Sequence, residues 1–216
     1  MRSAALLFLC ASLAFPQKQP NPAFAPIEDV PGLPRVLIIG DSISIGYTLP
    51  VREMLQGKAN VHRIPANAAT TRVTLDHIDE WLGSGKWDVI HCNWGLHDLK
   101  IMAGGKLQVP LPDYEKNLKQ LVARMKKTGA KIIYATTTPV PEGKVDPPRN
   151  PADVPRYNAA AVRIMKRRHI PIDDLYTAIL PHLAAMQRPV NVHFTLEGYQ
   201  FLARHVADSI LAALNR

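Results

Sequence analysis

The stretch Val36-Leu37-Ile38-Ile39-Gly40-Asp41-Ser42-Ile43-Ser44-Ile45-Gly46-Tyr47, VLIIGDSISIGY in one-letter code, decides the fold. Four branched apolar residues in a row have the make-up of a strand buried on both faces. They stop at Gly40-Asp41-Ser42, a small polar turn that carries a hydroxyl, and glycine returns at Gly46. A strand that delivers serine at a sharp glycine-containing turn before a helix exposes the hydroxyl at the edge of a sheet. The same turn aims backbone N–H groups at the space in front of that hydroxyl.

Outward from this strand the alternation repeats. Apolar spacing predicts helices around 49–55, over 70–82, 114–127, 154–168, 175–185 and 196–214. Between them lie strand-like runs at 60–64, 88–93 and 131–136, with a short extended piece at 169–172. Strands alternating with helices imply βαβ units and a parallel sheet covered by helices on both faces. Such sheets take ligands beyond the carboxyl ends of their strands, which is where Ser42 falls. The stretch 137–155 holds Pro139, Pro141, Pro147, Pro148, Pro151 and Pro155, so neither a helix nor a central strand is expected through it. It is either the wall of a cleft or a surface excursion.

With 216 residues, 47% apolar and 20% charged, the chain has the composition of one globular domain, placed at 35–216. The net charge of +8 raises nucleic acid or an acidic polymer as a partner. Yet the cations are scattered, and the dense runs Lys126-Lys127 and Lys166-Arg167-Arg168 sit late in predicted helices, where they suit the dipole. They read as solvated faces, and no nucleic-acid partner is expected. Arg72, Arg149 and Arg156 are read the same way, with an acidic substrate as the alternative. Arg2, the apolar run Ala4–Ala11 and the small residues of Ser12-Leu13-Ala14 fall in the order of a signal peptide over residues 1–14. Export to the periplasm or outside the cell is therefore expected, with no stable membrane association after cleavage. Removal of 1–14 takes away Cys10 and leaves Cys92 unpaired. Residues 15–34, rich in Pro, Gln and Ala without periodicity, read as a flexible leader.

A serine hydroxyl needs a base to remove its proton. His193 is the candidate, between the Pro189 break and the last helix, with Thr195 as N-cap and Glu197 in the first turn. A third loop, Asn93-Trp94-Gly95-Leu96-His97-Asp98-Leu99, ends the strand at 88–93 and neighbours the Ser42 turn in a doubly wound sheet.

Three blocks then carry a resemblance. Gly40-Asp41-Ser42-Ile43 resembles the first block of the GDSL, or SGNH, hydrolases. Gly95-Leu96-His97-Asp98 stands where that family has Gly-x-Asn-Asp, and His193-Phe194-Thr195-Leu196-Glu197-Gly198-Tyr199 resembles its last block. The blocks fall in family order, from about Arg35 to the C-terminus. The resemblance implies an α/β fold, a flavodoxin-like three-layer α/β/α sandwich, and ester hydrolysis through an acyl-enzyme. It makes Ser42 the nucleophile and His193 the base, with an oxyanion hole from the Ser42 N–H, an N–H at Ala68 or Ala69, and His97.

The chain departs from the family at three places. Val190 stands where an Asp is usual, so Asn191, a backbone carbonyl or Asp98 must orient His193 instead. Pro65-Ala66-Asn67-Ala68-Ala69 lacks the second-block glycine, and His97 replaces the oxyanion Asn. His91, His97 and Asp98 match no familiar metal spacing, and neither metal nor cofactor is expected. By family analogy the substrate is a short-chain ester, acetyl first, on carbohydrate. The alternative is a carbohydrate-binding protein that keeps the fold with impaired catalysis.

Overall fold

In the computed structural model, which describes residues 21–215, the quoted run forms strand β1, Arg35–Ile39. Its apolar residues Val36–Ile39 are buried throughout, each worth about 1.5–3 kcal/mol when removed from water. β1 lies between β2 (Asn60–Arg63) and β3 (Val89–Cys92), and β4 (Lys131–Ala135) and β5 (Ile172–Asp173) extend the sheet. The strand order is β2-β1-β3-β4-β5 and every pairing is parallel. This is the flavodoxin-like order, with its crevice at the β1/β3 switch point. The register sets Ile39 beside Cys92, so the chain leaves both strands at the same level.

The helices are α1 (Ser42–Met54), α2 (Thr71–Leu82), α3 (Leu111–Lys126), α4 (Asp153–Arg167), α5 (Leu175–Ile179), α6 (Leu183–Met186) and α7 (Leu196–Leu214). α1 begins at Ser42 rather than near Leu49, because Asp41 caps it: the Ile43 N–H donates to Asp41 Oδ1 at 2.9 Å. Pro50 lies inside the helix without ending it. The helix expected over 175–185 is broken by a 3-10 turn at Leu180–His182, where Pro181 lacks the N–H that would continue it. β5 begins at Ile172, where the extended piece was expected to end, and α4 starts at Asp153 with Pro155 in its first turn.

Residues 21–34, expected to be part of a flexible leader, are instead fastened to the domain. Asn21 caps a 3-10 turn over Pro22–Phe24, and Ala23 is buried. Asn60 bonds Val30 through both its Oδ1 and Nδ2, the latter also reaching the Leu33 carbonyl. Arg52 donates to the carbonyls of Pro22 and Ala25. These contacts run through backbone groups, to which apolar periodicity is blind. The signal segment 1–14 and residues 15–20 lie outside the described residues.

The return of glycine at Gly46 is a matter of space. A Cβ there would sit 2.1 Å from Cε1 of Tyr199, so only glycine lets the first turns of α1 rest against those of α7. Ser42 is the first residue of α1 and His193 lies in the loop just before α7, so the contact fixes how the two approach each other. Gly46→Ala should therefore destabilise the fold by about 1–3 kcal/mol, the cost of overpacking. It should also lower the ester hydrolysis that the resemblance implies, and chemical denaturation with kinetics on the same preparation checks both.

Candidate active site

α1 presents Ser42 as its first residue. The Ser42 N–H has no acceptor among the described residues, as expected of an N–H in the first turn. It points out of the positive end of the helix, where negative charge is favoured. The turn beneath it is held by Arg63, a charged residue at the carboxyl end of β2 that is only 8% exposed. Arg63 Nη1 donates to Ser44 Oγ at 2.7 Å and Nη2 to the Gly40 carbonyl at 2.9 Å. Burial lowers the Arg63 pKa to about 10, so the clamp stays charged near neutral pH. Sequence reasoning passed over Arg63; a lone arginine in a strand adjoining the nucleophile turn was the available sign.

His193 Nε2 lies 2.9 Å from Ser42 Oγ. The loop that carries it is pinned by the Arg188 N–H to the His193 carbonyl, the Thr195 N–H to the Met186 carbonyl, and Gln187 Nε2 to the Pro139 carbonyl. Asn191 Oδ1 accepts from the His193 backbone N–H at 2.9 Å and faces His193 Nδ1 at 2.8 Å. A backbone N–H can only donate, so this Asn191 atom is the amide oxygen, and Nδ1 must carry the ring proton. That tautomer leaves the Nε2 lone pair aimed at the Ser42 hydroxyl. Of the orienting groups left open by the sequence, Asn191 is the one in place.

Asp98 is not. It is fully buried and its Oδ1 accepts from both the N–H and the hydroxyl of Thr71, anchoring the start of α2. Burial raises its pKa to about 7. Val190, at the usual Asp position, is half exposed and adopts φ 48°, which a β-branched residue rarely does.

The second-block donors are also corrected. Ala68 spends its N–H on the Gly40 carbonyl at 3.1 Å, beyond the end of β2. Ala69, with φ 51°, spends its N–H on Asn67 Oδ1 at 2.9 Å. Each amide has a single proton, so neither is a free oxyanion donor in this conformation.

His97 follows β3 in a loop whose turn is locked at Trp94. The Trp94 carbonyl accepts from the hydroxyls of Tyr114, Tyr134 and Thr137, each at 2.9 Å. Gly95 lets Thr137 close in, since a Cβ there would lie 2.3 Å from its Oγ1. Lys100 Nζ sits 3.0 Å from His97 Nδ1. An ammonium can only donate, so the His97 proton is on Nε2, and that N–H is the ring's remaining donor. Burial, together with the charges of Lys100 and Arg149, lowers the His97 pKa to about 4, which keeps the ring neutral. The three residues weighed as metal ligands part company: His91 bonds Asp173 in the core, Asp98 bonds Thr71, and His97 bonds Lys100.

The proline-rich stretch is a wall. Arg149 Nε donates to the Leu96 carbonyl at 2.8 Å, Gln187 ties Pro139 to the His193 loop, and Gly143 comes against Val190. A separate cavity of about 500 Å³, lined by residues including Ile133, Ile172 and Ala213, includes none of Ser42, His97 or His193. Its lining holds Ser209 and His169, but the Ser209 hydroxyl bonds Asp173 and the Val206 carbonyl rather than the imidazole, so the serine–histidine pair among the described residues is Ser42 with His193.

Burial, with Arg188 and Arg149, lowers the His193 pKa below the ordinary imidazole value of 6.5. A general base acts when neutral, so activity should be level above pH 6.5 and decline only at lower pH, as His193 takes a proton. Asn191→Asp, which places a carboxylate on Nδ1, should move that decline to higher pH while keeping the same tautomer. Asn191→Ala leaves the tautomer unfixed and should lower kcat by about a hundred-fold or more. Rate profiles from pH 4 to 9 on folded variants check both; an unchanged profile in Asn191→Asp would contradict the assignment.

The GDSL-like lipase/acylhydrolase family matches residues 38–201. Among solved structures, the acetyl xylan esterase AlAXEase superposes with a TM-score of 0.71 at 17% identity, over 82% of this chain and 99% of its own. A lipase/acylhydrolase from Enterococcus faecalis gives 0.72 at 18% identity, over 83% and 96%. Axe2, an acetylxylan esterase from Geobacillus stearothermophilus, gives 0.68 at 23% identity, over 82% and 94%. No protein of curated function matches the chain. The family match runs from β1 into α7, taking in Ser42, His97, Asn191 and His193, and makes this chain a member of the GDSL-like lipase/acylhydrolase family.

Proposed function

We propose that this chain is an exported serine esterase that removes short acyl groups, acetyl first, from carbohydrate. The observation that carries the reading is the Ser42 Oγ to His193 Nε2 contact of 2.9 Å, with Asn191 fixing the opposite ring nitrogen. His193 takes the hydroxyl proton as Ser42 Oγ attacks the ester carbonyl. The negative charge that develops on the carbonyl oxygen is met by the Ser42 N–H and by the Nε2–H of His97. His193 then gives its proton to the departing alcohol, leaving an acyl group on Ser42. Water, activated by the same imidazole, attacks the acyl-enzyme and returns the free hydroxyl.

Acetyl as the acyl group is supported by the two acetylxylan esterases among the structural neighbours, and the serine mechanism by family membership. Export is supported by the order of charge, apolar run and small residues in 1–14. No helix among the described residues is long and apolar enough to cross a membrane.

An active-site-directed phosphonate should label Ser42 stoichiometrically, and Ser42→Ala should abolish both labelling and hydrolysis of a small acetate ester. A folded protein that binds glycan but neither labels nor turns over would establish the binding-protein alternative. His97→Ala should lower kcat by roughly a hundred- to a thousand-fold with little change in KM, the signature of a lost oxyanion donor. His97→Asn should restore part of the rate; full turnover in stable His97→Ala would remove His97 from the oxyanion hole.

A further inference from the structure

Three cations act on His97 and His193 beside Ser42, and the reaction does not account for them. Lys100, Arg149 and Arg188 come from the post-β3 loop, the proline-rich wall and the His193 loop. None of them has a carboxylate within ion-pair distance among the described residues, a lack they share with Arg52 and Arg63, whereas Arg35, Arg124, Arg156 and Arg163 all find one. Asp41, the buried carboxylate whose charge acts on both Lys100 and Arg149, spends Oδ1 on the Ile43 N–H and lies beyond ion-pair reach of either. Asp146, on the wall itself, also acts on Arg149 without pairing with it.

Lys100 and Arg149 are held in place rather than left loose on a surface. Their backbones form an antiparallel bridge. Arg149 is only 7% exposed, and its Nε and Nη1 are tied to the carbonyls of Leu96 and Pro147. A guanidinium has five N–H donors; two are used here, and Nη2 has no acceptor among the described residues. The Lys100 ammonium gives one proton to His97 Nδ1 and keeps its others. Both cations act on the catalytic groups, since Lys100 and Arg149 lower the His97 pKa and Arg149 that of His193. A buried guanidinium and a half-buried ammonium, both fixed and with unspent donors beside a reaction centre, suit an anion.

We propose that Lys100 and Arg149 form a subsite for an anionic group on the alcohol part of the substrate, so that the natural ester is carried by an acidic sugar. The proposal rests on the esterase reading above: the acyl group is short, so the charge must lie on the alcohol. The shared ligand chemistry is an oxyanion, a carboxylate as in a uronic acid or a sulfate ester. The Arg149 fork suits either, and the Lys100 ammonium adds charge without geometry.

Three acetylated sugars that differ only at C6 test this: acetylated galacturonate, acetylated galactose and acetylated galactose 6-sulfate. The expected result is a kcat/KM at least about tenfold higher for an anionic ester than for the neutral one, carried by KM. The preference should shrink as salt is raised. It should fall toward unity in Lys100→Gln and in Arg149→Gln, each checked for native melting. The ratio is the readout because Lys100→Gln also releases His97 and will slow all three esters. Preference for galacturonate alone assigns a carboxylate, for the sulfate alone a sulfate ester, and for both a general anion site. Equal kcat/KM on all three, or a preference unchanged in both variants, overturns the proposal. Calorimetry of the free sugars on Ser42→Ala reads the same selectivity without turnover. Failure of the esterase reading would appear separately, as absence of phosphonate labelling, while this binding arm still decides the subsite.

Discussion

The carboxyl end of the sheet is indexed to two backbone carbonyls, those of Ile39 and Gly40. The Ile39 carbonyl accepts from the Asn93 N–H at 3.0 Å, and the Gly40 carbonyl from the Ala68 N–H at 3.1 Å and from Arg63 Nη2 at 2.9 Å. The first is the last rung of the β1–β3 ladder, and the second lies just beyond the last paired residues of β1 and β2. They fix where three loops begin: the nucleophile turn, the 65–70 segment and the loop that carries His97. A rung displaced by one residue would turn alternate side chains to the opposite face of the sheet. The buried guanidinium of Arg63 closes the junction, and its removal would leave paired carbonyls and Ser44 Oγ short of a donor.

From that junction the remaining element, the His193 loop, is brought in by α7. Its first turn is docked on α1 through Gly46 and Tyr199, and its cap is Thr195, whose Oγ1 accepts from the Gly198 N–H at 3.1 Å. The strained Val190 belongs to the same device. Its positive φ sits in the turn in which the Asn191 N–H reaches the Arg188 carbonyl, and the Asn191 side chain folds back onto His193. Residues held in such conformations cluster at functional sites, where surrounding structure over-determines them. An aspartate at position 190 would need to reach the imidazole from a residue that is half exposed, whereas Asn191 is already there.

Much of this was legible in the sequence because it rests on local patterns. The four-residue strand before Gly40-Asp41-Ser42 and the Thr195 cap of α7 are read directly, and α7 begins and ends at the expected residues, Leu196 and Leu214. What was hidden depends on partners distant in sequence. Residues 21–34 pack by giving their carbonyls and N–H groups to Arg52 and Asn60, which no periodicity reports. Ala68 and Ala69 are equivalent as backbone donors in the sequence, and only the fold shows where each N–H is spent. Arg149 had the look of a solvated cation, and the Leu96 carbonyl that buries it lies more than fifty positions away. Asp98 was weighed for His193 because it adjoins His97, yet helix α2 claims it.

The departures from the family pattern act on the site in one direction. An amide at Asn191 in place of a carboxylate fixes the tautomer of His193 without adding negative charge. Burial first, and then the charges of Arg188 and Arg149, lower the basicity of His193, while burial with Lys100 and Arg149 holds His97 neutral. A weaker base makes proton removal from Ser42 harder, but the same field favours the alkoxide and the oxyanion that follow. The cost of an imidazolium beside cations and the gain of an anion beside them arise from the same charges, so the two partly offset. In the proposed serine mechanism, the balance of catalysis would thereby move from the strength of the base toward stabilisation of the oxyanion. A negative substituent on the substrate would restore the missing counter-charge, easing imidazolium formation once the substrate is bound. In that arrangement the substrate itself supplies part of the field that an acidic residue at position 190 supplies elsewhere in the family.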